Sequence, residues 1–103
     1  EVEERCKSDR RLIEVHPEVS FRMLAGRPLP SAKRTWNGLH LRDALLRSAG
    51  SAVPDLIEDL GRVPADDVLD AAVVAWSADR YASGRAAYLD PETDPELEPV
   101  IWY

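Results

Sequence analysis

Residues 65–83 contain neither proline nor glycine, while Pro64 and Gly84 close the stretch on either side. That uninterrupted run, "DDVLDAAVVAWSADRYAS" in its body, constrains the fold more than any other feature. Its length and good helix formers predict a helix over 65–83, with Gly84 as the C-terminal stop. Its middle is apolar nearly all round, so the helix is expected to be buried.

Shorter elements are predicted around it. Arg10 to Val15 reads as a strand, with Leu12, Glu14 and His16 on one face and Ile13 and Val15 on the other. Pro17 favours a helix start and Glu18 suits its first turn, giving a helix over 17–25 that ends at Gly26. "GRPLPSAK" reads as a loop. A second helix is expected over 35–48, with Leu39, Leu41, Ala44, Leu45 and Leu46 on its apolar side and Gly50 after it. Residues 1–8 resemble a helix end, and 54–60 a short helix or turn closed by Gly61. "AAYL" and "VIWY" flank the acidic loop "DPETDPELEP" and suggest a hairpin or two edge strands. The expected class is α/β and helix-rich, with a central strand near 10–15, three helices and a short C-terminal strand pair.

Length and composition set limits. A chain of 103 residues makes a single domain, and 45% apolar content suits a globular one. No apolar run matches a membrane span, and no secretory signal opens the chain. The lone Cys6 cannot form an internal disulfide, which fits a reducing, cytoplasmic setting. The net charge of −6 disfavours a general nucleic-acid coat. Charge is unevenly placed, however. Arg22, Arg27, Lys33, Arg34, Arg42 and Arg47 face only Asp43 within 22–47, while Asp90, Glu92, Asp94, Glu96 and Glu98 have no base within 88–103. The basic stretch is either a set of solvated helix faces or a phosphate-binding surface.

Glu14 stands in an apolar run, where an ionised carboxylate needs an arginine, a polar network or a metal ion beside it. Asp67 and Asp70 are spaced to share a helix face, with Asp66 close by. Asp66 and Asp67 have ready explanations as cap or first-turn acids. Asp70 is one turn further in, among Val68, Leu69, Ala71, Ala72, Val73 and Val74. Glu14, Asp67 and Asp70 facing one another would repel unless a hard cation such as Mg²⁺ or Mn²⁺ stood between them. The bland alternative pairs Asp70 with a buried arginine or a capping network. His16 suits a bond to the start of the next helix, and Trp36, Trp76 and Trp102 suit packing. Neither a Gly-rich phosphate loop nor a Cys/His metal pattern is present.

"IEVHPEVSFRMLAGRPLP", "KRTWNGLHLRDALLRSAG", "DDVLDAAVVAWSADRYASG" and the closing "IWY" resemble, in this order, the predicted-nuclease family called domain of unknown function 429. E-V-H-P-E and D-D-V-L-D-A are the most specific parts. The resemblance implies a ribonuclease H-like fold, of which this chain is the C-terminal half, since the first strands and their aspartate have no counterpart here. It implies Glu14, Asp67 and Asp70 as catalytic acids holding Mg²⁺ or Mn²⁺, with Lys33, Arg34 and Arg42 on nucleic-acid phosphates. The expected function is therefore a metal-dependent phosphodiester hydrolase, or a part of one that is inactive alone. The alternatives are a non-catalytic binding or structural domain, or a module whose tail adds to a partner's sheet. A half-fold also implies self-association, or docking to the missing half.

Overall fold

The structure, a computed structural model, describes residues 12–51, 53, 60–89, 92 and 100–103. Its elements follow in the order β1 (Glu14–Val15), α1 (Pro17–Ala25), α2 (Trp36–Ser48), α3 (Ala65–Ala82) and β2 (Ile101–Trp102). This is a small, helix-rich α/β arrangement of three helices and a two-stranded parallel sheet. The elements expected near 1–8 and 54–59, and most of the acidic loop, lie outside the described residues.

Local chemistry explains the helix ends. Pro17 stands in the first turn of α1, where its fixed φ suits a helix and its missing N–H costs nothing. Gly26 ends α1 at φ 73°, the left-handed region, and its N–H reaches the Met23 carbonyl. Thr35 caps α2, its Oγ1 accepting from Gly38 N at 3.1 Å and donating to Ala32 O at 2.7 Å. α3 starts after Pro64 without a side-chain cap, and Asp66 and Asp67 occupy its first turn.

α3 packs against both α1 and α2, which also touch each other. Phe21, Leu46, Leu69, Ala72 and Val73 form the buried core, flanked by Leu29, Leu39, Val53 and Trp76. Fully burying a side chain such as Phe21 or Val73 stabilises by roughly 1.5–3 kcal/mol. Ser20 Oγ and Ser77 Oγ hydrogen-bond at 2.7 Å inside the α1–α3 contact, so two small polar groups satisfy each other there. α3 differs from the expectation of burial all round. Asp66, Leu69, Ala72, Val73 and Ser77 are buried, but Ala71, Val74 and Ala75 are exposed. Two helices cover only one stripe of a cylinder, and the remaining apolar residues are simply left outside.

The sheet is shorter than the sequence suggests. β1 is Glu14–Val15 and pairs in parallel with β2, Glu14 opposite Ile101 and Val15 opposite Trp102. On its other side Trp102 forms an antiparallel bridge with Tyr88, and Ala87 and Tyr103 exchange backbone hydrogen bonds at 2.8 and 2.9 Å. "AAYL" and "IWY" therefore pair as expected, and the last residues are laid between β1 and 86–89. The Trp102 ring meets Tyr81 and Tyr88 edge to face, with centroids 4.7 and 4.9 Å apart.

Candidate functional site

Lys33, Arg34, Asp66 and Asp70 gather where residues 26–35 cross the start of α3. Thr35 and Gly38 set that loop's position. A Cβ on Gly38 would collide with the Ala32 carbonyl oxygen, so only glycine lets the first turn of α2 fold back this closely on the loop. Lys33 and Arg34 are thereby presented to α3. Lys33 Nζ donates to Asp70 Oδ2 at 3.0 Å, and Arg34 Nε donates to Asp66 Oδ2 at 3.1 Å.

Arg42 fixes the loop from behind. Its side chain is only 2% exposed. Nε and Nη2 grip the two Glu18 oxygens at 3.1 and 2.5 Å. Nη1 donates to the Ser31 and Gly38 carbonyls, both at 3.0 Å. The guanidinium also lies 5.7 Å from the centre of the Phe21 ring. One side chain thus ties α1, the loop and α2 together, using the planar fork that lysine lacks. Arg42, expected on phosphates, is turned inward.

The acids divide differently from the expectation. Glu14 is partly exposed and its Oε1 is 3.2 Å from His16 Nε2, so histidine answers the strand glutamate. His16 makes this contact instead of capping α1. Asp67 is exposed, while Asp66 is the buried first-turn acid and joins Asp70 on the loop side of α3. Asp70 is partly buried, and its Oδ1 is buried with no hydrogen-bond partner among the described residues. Among the described residues no three His, Cys, Asp or Glu side chains are grouped to hold a metal ion. Asp70 offers one ligand oxygen, and one oxygen is not a site. The described residues alone therefore do not fit a pair of divalent ions.

Sequence reasoning missed Glu18 as the partner of Arg42, Asp66 as the inner acid and Gly38 as a steric requirement. It also misplaced Trp36, which is 76% exposed and not packed inside. The i to i+4 relation of Asp66 and Asp70 was a usable signal, but the choice between Asp66 and Asp67 depended on which way the loop crossed.

Electrostatics in the cluster are reciprocal. The Arg34 hydrogen bond holds Asp66 below the usual aspartate range, against the opposing effect of burial. The Asp70 hydrogen bond and charge hold Lys33 above the usual lysine range. A depressed acid stabilises the fold above its unfolded-state pKa, and that contribution is lost as pH falls through the folded value. A raised base stabilises below its unfolded-state pKa and loses this as pH rises through the folded value. Melting temperature is therefore expected to decline below about pH 4 and again above about pH 10.4. In a pH series of melts, Arg34→Gln should flatten the acid limb and Lys33→Met the alkaline one. High salt should weaken the Arg34 effect most, since that side chain is 81% exposed.

A separate cavity of about 470 Å³ lies further along α3, lined by Met23, Leu24, Leu45, Trp76, Arg80 and Tyr103 among others. It shares no residue with the polar cluster. Among the described residues, no helix is long and apolar enough to cross a membrane.

No curated protein and no solved structure matches the chain. A family model does, over residues 1–94, which span the loop, the three helices and every residue of the polar cluster. The chain belongs to the family described as protein of unknown function (DUF429).

Proposed function

We propose that this chain is part of a nucleic-acid phosphodiester hydrolase of the ribonuclease H-like class, and that it engages nucleic acid without cleaving it alone. The supporting observation is Asp70: a partly buried carboxylate with one oxygen on Lys33 and the other buried and, among the described residues, unpartnered. Leaving a buried acceptor unsatisfied costs about 1–3 kcal/mol. Such a group in a native fold calls for an explanation, and a chemical role is one. Its place on α3 agrees with the helix acids implied by the family resemblance. The expected Mg²⁺ or Mn²⁺ dependence is part of this proposal, with Asp70 as one contributor and the remaining ligands beyond the described side chains. In this chain Lys33 orients the Asp70 carboxylate, while Arg34 orients Asp66 and holds it below the usual aspartate range.

A second reading rests on the three ion pairs. Lys33–Asp70, Arg34–Asp66 and Arg42–Glu18 offset the three bases assigned to phosphate; the first two fasten the loop to α3, and Arg42 ties α2 to α1 and to the Ser31 carbonyl. On that reading the cluster is structural and the chain is a non-catalytic domain.

Anisotropy titrations with labelled single- and double-stranded RNA and DNA separate the two. Binding at low salt that weakens as salt rises, and weakens further in Arg34→Ala, is expected from the first reading. Absence of binding to every nucleic acid at low salt removes it and leaves the structural one. The same mixtures with Mn²⁺ or Mg²⁺ should remain uncleaved. Cleavage that disappears in Asp70→Asn would overturn the non-cleaving part. Asp70→Asn should itself lower the melting temperature, because Lys33 loses a charged partner.

A further inference from the structure

An exposed tryptophan sits three residues from the lysine that holds Asp70. Trp36 opens α2 and is 76% exposed, the most open of the large exposed apolar side chains among the described residues. It is also ordered on its helix. His40, one turn on, meets the indole at a centroid distance of 4.3 Å and an interplanar angle of 66°, so it braces one edge of the ring. The Thr35 cap and the tight Gly38 approach fix the turn from which Trp36 projects. Two residues upstream, Arg34 places Nε on Asp66, and among the described residues no other group bonds its guanidinium. An exposed indole and an exposed guanidinium two residues apart contribute little to packing. It is the composition that stacks a base and holds the next phosphate in single-stranded nucleic-acid binding.

We propose that Trp36, braced by His40, is a stacking platform for an unpaired nucleobase, and that Arg34 takes an adjoining phosphate of the same single strand. This rests on the proposed engagement of nucleic acid and adds the substrate class: single-stranded, because a base inside a duplex has no free face to offer. Charge at this helix end does not favour phosphate contact, so stacking has to supply most of the affinity. Arg34 already offsets Asp66, Lys33 offsets Asp70, and Asp67 leaves one exposed negative charge at the same helix end. The platform is therefore expected to favour stacking over wide phosphate contact, with a shallow salt dependence.

The test compares a labelled twelve-nucleotide thymidine strand with a duplex of the same length at low salt, using the wild-type chain, Trp36→Ala and Trp36→Phe. Wild type is expected to bind the single strand more tightly than the duplex and to show quenched tryptophan fluorescence. Trp36→Ala should weaken single-strand binding roughly 10-fold or more, with duplex binding unchanged. Trp36→Phe should keep most of the affinity while losing the quench. Because Trp36 is exposed, both variants should melt with the wild type, which excludes unfolding as the cause. Equal single-strand affinity of Trp36→Ala and wild type overturns the platform, and salt-sensitive binding surviving in both would leave the nucleic-acid reading intact. No binding of either probe by wild type overturns both.

Discussion

Replacing Arg42 by methionine is expected to destabilise the fold by about 3 kcal/mol, near the lower end for breaking a buried ion pair. Methionine keeps an apolar stem against Phe21, so the loss isolates the guanidinium. Four hydrogen bonds go at once: two to Glu18 and one each to the Ser31 and Gly38 carbonyls. Glu18 is half exposed and regains water, which keeps the cost from the top of the range. The two carbonyls lose a charged donor inside the loop junction, which adds to the cost. For a chain of this size the change corresponds to a melting temperature roughly 10–20 °C lower. Glu18→Gln is the control. It keeps a neutral acceptor in place and should cost only about 1 kcal/mol. Thermal melts of the three proteins decide the matter, and an Arg42→Met variant as stable as wild type would show that Arg42 does not hold the loop.

Gly38→Ala is expected to have the next largest effect, with a sign opposite to helix propensity. In an open helix the change would stabilise by up to about 1 kcal/mol. Here the new methyl would collide with Ala32 O and stand 2.7 Å from Ala32 C, both backbone atoms that cannot swing aside. Either the first turn of α2 or the loop must move. Overpacking of this kind costs about 1–3 kcal/mol or more, and the upper end is expected because a backbone carbonyl is struck. The displaced loop carries Lys33 and Arg34, so the alkaline and acid limbs of the stability profile should shrink together with the overall loss. A Gly38→Ala variant more stable than wild type in a denaturant series would refute the close approach.

The helices were legible because their signals are local. Pro17, Gly26, Thr35 and Gly84 mark ends through the conformations they permit or the atoms they bond, and the residues between them have the right length and period. The family was legible for a related reason: ordered motifs survive without any knowledge of contacts. The tail pairing of 86–89 with 101–103 was visible as two apolar runs around a loop. The parallel partner of β1 was not, because 101–102 reaches 14–15 across nearly the whole chain and no local pattern encodes that pairing.

Charge pairing was the least legible part. Sequence identified Glu14, Asp67 and Asp70 as acids of interest and Lys33, Arg34 and Arg42 as bases of interest. It had no means of telling that each of the three bases would meet an acid, two of them acids outside that set. Lys33 finds Asp70, Arg34 finds Asp66 and Arg42 finds Glu18, each across many residues of chain. Helical periodicity places Asp66 and Asp67 about 100° apart, and either can be the inner one until a neighbour is docked. Residue order and short-range sterics were enough for the helical skeleton, the family and the roster of charged groups. They were not enough to turn Arg42 inward, to leave Trp36 outside or to keep one buried oxygen of Asp70 unpaired among the described residues. Burial and ion pairing are properties of surfaces brought together by the fold, and the energy of each pair depends on a partner and a local dielectric that do not exist until α1, α2 and α3 have packed.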